Sequence, residues 1–402
     1  MNVIAEQRLV LLKPSGQQPA RLHCRLAALS LGQIVSWGVL FYALIVAAPV
    51  IAEDTGWSLS LVMGLYALGL VVSAGMGIVV GIVLDRSGPR LIMTAGSITG
   101  AAGMCVVALS PTPAMFAIGW ALVGLAQAGV LYQAAFTVIT HRYGERRQLP
   151  LTVLTLAGGL ASTIFAPIVV ALLAVTDWRT TFLVLAGILF AVTVPLHWFS
   201  LERAWAPQPH VEHTQVHTVR TVLRQRRFWM LLLATAAIAL SLYTVTISII
   251  PVLLEKGVSY ELAAITLGLV GAGQVVGRLL FMVLPRDLPP WVPLAVVAAA
   301  SALALLAISW LSAPVWLLLV VAIVAGAVRG TQTLVQANSV SDRWGSANYG
   351  SINGVFSAPL TVLVALTPAL GPLFADSLGS FALMTAILAG VAALGALLAR
   401  GS

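Results

Sequence analysis

From Leu26 to Ala52 the chain runs 27 residues without a charged side chain, and comparable runs recur to its end. This feature limits the fold more than any other. Crossing the bilayer hydrocarbon takes about 20 apolar residues as helix, and every backbone polar group in lipid must be satisfied within the protein. Turn residues divide the longer runs: Ser110-Pro111-Thr112-Pro113 splits one 50-residue uncharged stretch, and Ser312-Ala313-Pro314 splits another. The pattern predicts twelve spanning helices near 26–51, 58–84, 91–109, 113–140, 149–175, 180–200, 228–254, 261–284, 291–311, 314–340, 347–375 and 377–399. With 60% apolar and 8% charged residues, the chain cannot cover a water-facing surface, where roughly 25% charge is usual. Soluble, fibrous and disordered classes are excluded. The expected fold is an all-α membrane protein: a segment 1–25, a six-helix bundle over 26–200, a linker 201–227 and a second six-helix bundle over 228–400. The basic stretch Arg8 to Arg25 leads into an uncharged run long enough to remain as an anchor, not a cleaved signal.

Charge placement sets the expected orientation. With the N-terminus inside, seventeen of the 21 basic residues fall in inner segments, and only Arg179 and Lys256 fall in outer loops. Both termini are therefore expected on the cytoplasmic side of a cell (inner) membrane. The net charge of +8 reads as a topology signal, not as a nucleic-acid surface. The linker carries His210, His213 and His217, but no cysteine or carboxylate set accompanies them, so no metal site is expected. The two cysteines, Cys24 and Cys105, form no disulfide framework.

The halves are similar under a shift of about 202 residues: Gly124-Leu125-Ala126-Gln127 of the fourth span matches Gly326-Ala327-Val328-Arg329 of the tenth. A parallel repeat of this kind is expected of a transporter with a site between two bundles.

The loop after the second helix reads Gly81-Ile-Val-Leu-Asp85-Arg86-Ser-Gly88-Pro-Arg90. It resembles the signature loop of the major facilitator superfamily, which lies between the second and third spans. The resemblance implies the major facilitator fold, with two bundles related by a pseudo-twofold axis. It also implies a conformational switch at Asp85, Arg86, Gly88 and Arg90. Asp85 stands at the membrane boundary, where it can cap a neighbouring helix N-terminus or pair with a basic group such as Arg142. Three further patches resemble the monocarboxylate-porter and oxalate/formate-antiporter branch: Ser36-Trp37-Gly38 to Phe41-Tyr42, Arg146-Arg147-Gln148-Leu149, and Gly271-Ala-Gly273-Gln274-Val-Val-Gly277-Arg278.

Of all the basic residues, only Arg278 and Arg329 lie well inside spans, and no acidic residue does. An arginine at bilayer depth costs at least roughly 2.5–3.5 kcal/mol and usually faces a cavity or functional path. An anionic substrate would offset that cost, and a planar guanidinium suits a carboxylate. In the resembled porters an arginine of the eighth helix binds the substrate carboxylate, and Arg278 matches that position. Proton-coupled members of that branch carry an aspartate one turn earlier, where this chain has Gln274. Coupling is therefore expected without a titrating intramembrane carboxylate, with exchange faster than net uptake. Trp37, Phe41, Gln127, Tyr132, Gln133 and Tyr243 are further candidates for the substrate site, Gln127 because the repeat sets it opposite Arg329.

No phosphate-binding glycine loop, metal motif or nucleophile constellation is present, so neither an enzyme nor a cofactor is expected. The sequence reads as a secondary active transporter, monomeric in the lipid bilayer, moving a small organic anion, a carboxylate, by symport or antiport. Two alternatives stay open here: an exporter of amphipathic drugs or metabolites, and a non-transporting membrane receptor.

Overall fold

The computed structural model describes residues 19–202, 218–283, 288–311, 314–346 and 348–402. Twelve helices among them are long and apolar enough to cross a membrane. The first six are α1 (Cys24–Thr55), α2 (Ser60–Ser87), α3 (Pro89–Ala108), α4 (Pro113–Tyr143), α5 (Gln148–Val175) and α6 (Trp178–Ser200). The second six are α7 (Arg226–Ile247), α8 (Ile265–Met282), α9 (Trp291–Trp310), α10 (Val315–Trp344), α11 (Tyr349–Thr367) and α12 (Phe381–Ala399).

The turn residues act as the sequence predicts. Thr112 accepts a hydrogen bond from Met115 N at 3.3 Å to start α4, with Pro113 as the first helical residue. Asp177 and Ser380 cap α6 and α12 in the same way, and Ser58 and Ser259 cap the helices Leu59–Ser87 and Tyr260–Met282 that contain α2 and α8. Such side chains satisfy donors that the first turn leaves without intrahelical partners. Two bounds shift from expectation: α7 ends at Ile247 and not 254, a separate short helix following over Ile249–Glu255, and α12 starts at Phe381 and not 377. The preceding helix continues to Leu378 and closes on Gly379 with φ 71°. In the linker, a short helix spans Val219–Leu223; His210, His213 and His217 lie outside the described residues.

Each half repeats the same neighbours: α2 and α3 pack on α4, and α3 on α6, as α8 and α9 pack on α10, and α9 on α12. The closest approaches repeat too. A Cβ at Gly124 would strike the Gly69 carbonyl, and one at Gly326 would strike the Val270 carbonyl, about 202 residues on. Small residues at these points let the backbones touch. Large apolar side chains such as Phe199 and Trp310 point outward, as a lipid-facing surface requires.

The described contacts between the halves gather at the end where the arginines lie. There α2 and part of α4 pack on α11, and α5 packs on α8 and α10. One buried apolar core runs from the second half into this end of the first, through Leu84, Phe136 and Leu151. The rest of the first half, around Leu44, Trp120 and Phe182, forms a separate core. The molecule is therefore shut at its arginine-rich end.

Candidate functional site

Arg278 sits one turn before the end of α8 yet does not turn to the nearby face. Side chains on a helix lean toward its N-terminus, which for α8 is the opposite face. Its guanidinium lies against Gly159 of α5, in the other half, and the Tyr132 ring of α4 lies against the adjacent Gly158. Gly159 and Tyr132 are each about 16 Å, eleven residues, inside their helices from the arginine-rich end. That is near the middle of a hydrocarbon core about 30 Å thick. Arg278 is 6% exposed, and its Nε has no hydrogen-bond partner among the described residues. No carboxylate among them pairs with it; the four ion pairs, Arg25 and Arg142 with Glu202, Arg147 with Asp342, and Arg179 with Asp54, all lie at helix ends.

Arg329 stands in the middle of α10 with its guanidinium 4.2 Å from the ring centroid of Tyr243 on α7. A ring face offers a desolvated cation about 2 kcal/mol, but supplies no hydrogen-bond acceptors for a guanidinium. Helices α8 and α10 meet backbone to backbone between the two arginines, where the Gln274 carbonyl presses on Gly330. Gln274 itself is partly exposed.

The facing wall comes from α1 and α4. Trp37 packs 5.0 Å from Phe41 and 4.8 Å from Tyr132, centroid to centroid, and all three are partly exposed. Within α1 the segment Gly38–Tyr42 is a π-helical turn, a feature often found at functional sites. It brings Tyr42, which the sequence did not single out, within 6.4 Å of Trp37. Gln127 donates to the Leu40 carbonyl of this turn at 2.8 Å, and Gln133 donates to the Gly77 carbonyl of α2 at 2.7 Å. Both amides join helices, a role any buried glutamine can fill. The Gln127 Oε1 remains without a partner among the described residues.

At the arginine-rich end the switch residues divide. Asp85 crosses to the other half, accepting from Gly350 N at 3.0 Å, Ser351 N at 2.6 Å and Ser351 Oγ at 2.6 Å. It thus caps α11, to which Asn348 supplies no side-chain cap. Arg142, expected as a partner of Asp85, instead pairs with Glu202 at 2.6 Å, which Arg25 also reaches at 2.8 Å. Glu202, just past the end of α6, lies beside Arg25 and Arg142, while both Asp85 oxygens are taken by the start of α11. Gly88, at φ 77°, closes α2, and Arg90 lies over the Trp198 ring at 4.3 Å. Arg86 is exposed. A second crossing, not foreseen, joins Arg147 of the α4–α5 turn to Asn338 at 3.0 Å and to Asp342. Gln148 adds a bond to the Phe281 carbonyl at 2.9 Å.

The model of the family described as Major Facilitator Superfamily matches residues 29–315. Among curated proteins, an uncharacterized MFS-type transporter, YcxA, of Bacillus subtilis is 28% identical over 155 residues, 37% of this chain and 35% of that protein. An uncharacterized 38 kDa protein from the 23S RNA operon of Thermoproteus tenax is 29% identical over 147 residues, 37% and 36% of the two chains. The chain thus spans about a third of the length of these relatives. Among solved structures, the E. coli fucose:proton symporter FucP superposes with a TM-score of 0.69 at 16% identity, covering 93% of this chain and 97% of that one. The human organic anion transporter MFSD10 superposes with a TM-score of 0.67 at 16% identity, covering 95% and 100%.

Proposed function

The chain belongs to the major facilitator superfamily, and on that premise we propose that it is a secondary transporter moving a small organic anion, a carboxylate, by alternating access. The fold neighbours divide between a fucose symporter and an organic anion transporter, so similarity of fold does not choose the substrate. One observation carries the reading: Arg278 is buried near mid-depth against the other half, with no carboxylate and no partner for its Nε among the described residues. A buried charge left uncompensated costs several kcal/mol, and a bound carboxylate would supply both countercharge and acceptors. Placing arginine-rich segments in the cytoplasm makes this the outward-facing state, closed toward the cytoplasm. It also puts the carrier in a cell membrane with both termini inside.

Coupling is by exchange. Moving an empty site carries desolvated guanidinium charge, whereas a loaded site carries a neutralised pair. The test uses purified protein in liposomes. Labelled carboxylate should enter anion-loaded vesicles faster than empty ones, and Arg278→Gln should abolish this uptake while the protein stays folded. Undiminished uptake by Arg278→Gln, or equal uptake of the neutral amide of the same acid, would overturn the reading.

A further inference from the structure

The wall facing Arg278 has a chemistry of its own. Four aromatic rings, Trp37, Phe41, Tyr42 and Tyr132, form a connected group with centroids 4.8–6.4 Å apart, mostly edge-on or tilted. A regular helix cannot turn residues 41 and 42 both toward residue 37, because successive side chains diverge by about 100°. The wider turn at Gly38–Tyr42, with Ala43 N bonded to the Gly38 carbonyl, does so. Two other side chains hold that turn: Gln127 on the Leu40 carbonyl and Tyr66 on the Phe41 carbonyl, at 2.8 and 3.4 Å. The rings are partly exposed, not sealed into the core. On this wall the amide donors of Gln127 and Gln133 are engaged, each on a backbone carbonyl. The wall therefore presents mainly ring faces and edges beside a cation.

We propose that the substrate is an aromatic carboxylate, its ring held among Trp37, Phe41, Tyr42 and Tyr132 and its carboxylate on Arg278. This rests on the organic-anion reading above and narrows it. Ring–ring geometry adds attraction beyond the area buried. A planar ring should therefore exceed a saturated ring of equal charge and similar size by about two- to tenfold in affinity.

Four probes separate the ideas on the full-length protein, by ligand-induced thermal stabilisation titrated to give Kd: benzoate, cyclohexanecarboxylate, acetate and benzamide. The expected order is benzoate tightest, then cyclohexanecarboxylate, then acetate, with benzamide far weaker than benzoate. In Phe41→Leu the preference for benzoate over cyclohexanecarboxylate should shrink toward one, while benzoate over benzamide persists. Cyclohexanecarboxylate binding as tightly as benzoate, with benzamide still rejected, overturns the aromatic proposal and leaves the organic-anion reading standing. A preference unchanged in Phe41→Leu overturns it as well. Benzamide binding as tightly as benzoate overturns both.

Discussion

Replacing Asp85 by asparagine should open the arginine-rich end. The carboxylate accepts three hydrogen bonds from the start of α11. Bonds to a charged group are worth about 1.5–3 kcal/mol and neutral ones about 0.5–1.5. The favourable placement of a negative charge at a helix N-terminus adds roughly 0.3–1 kcal/mol. Asparagine keeps one oxygen, loses the charge and turns an N–H2 toward other donors. The closed arrangement should weaken by roughly 2–3 kcal/mol, a shift of about 30- to 140-fold in the equilibrium. Spin labels at positions 146 and 227, exposed in opposite halves, would report it in a chain whose Cys24 and Cys105 are replaced. Asp85→Asn should move the distance distribution to longer values. Arg142→Gln should leave it in place, because Arg142 pairs with Glu202 inside the first half. The reasoning fails if Asp85→Asn leaves the distribution unmoved, or if Arg142→Gln opens the molecule as far.

Gly81 lies against the Gly350 carbonyl of the other half, where a Cβ has no room; Gly81→Ala should lengthen the same spin-label distances and slow transport several-fold. Glu202→Gln removes the pairs to Arg25 and Arg142, both part-exposed, and should cost about 1 kcal/mol in stability, seen as a lower melting temperature with unchanged distances between the halves. Asp177 lies below the ordinary carboxylate range because Thr180 donates to it from backbone and hydroxyl. A depressed carboxylate stabilises the fold above its unfolded pKa and loses that effect as pH falls through the folded value. Acidification below about pH 4 should therefore lower the melting temperature more steeply in the wild type than in Asp177→Asn.

The sequence foretold the twelve helices because lipid leaves so few choices: uncharged runs of fixed length must be helices, and turn residues such as Thr112-Pro113 must divide them. Asp85 was legible as a boundary carboxylate, but its partners are main-chain N–H groups, which no residue type announces. Arg142 was misassigned because its acid, Glu202, lies 60 positions away, past the end of α6, and only the tertiary fold joins them. Arg147 was visible as a charge, yet its bond to Asp342 depends on how one half meets the other. The π turn left a fainter trace, a glycine ahead of clustered aromatics, and Tyr42 was lost with it. Arg278 and Arg329 stood out because charge inside a span is rare, although nothing in their letters said that one would reach across the halves and the other lie on Tyr243.

The first turn of α11 is complete only while a side chain from the opposite half completes it. When the halves part, two backbone N–H groups, a serine hydroxyl and both oxygens of a carboxylate must find water at the same moment. Opening and hydration of that helix end are then a single event. The rate of the cycle should depend on the osmotic state of the solution on that side. An excluded solute such as sucrose, which raises the cost of exposing new surface, should hold the carrier shut without touching its binding site.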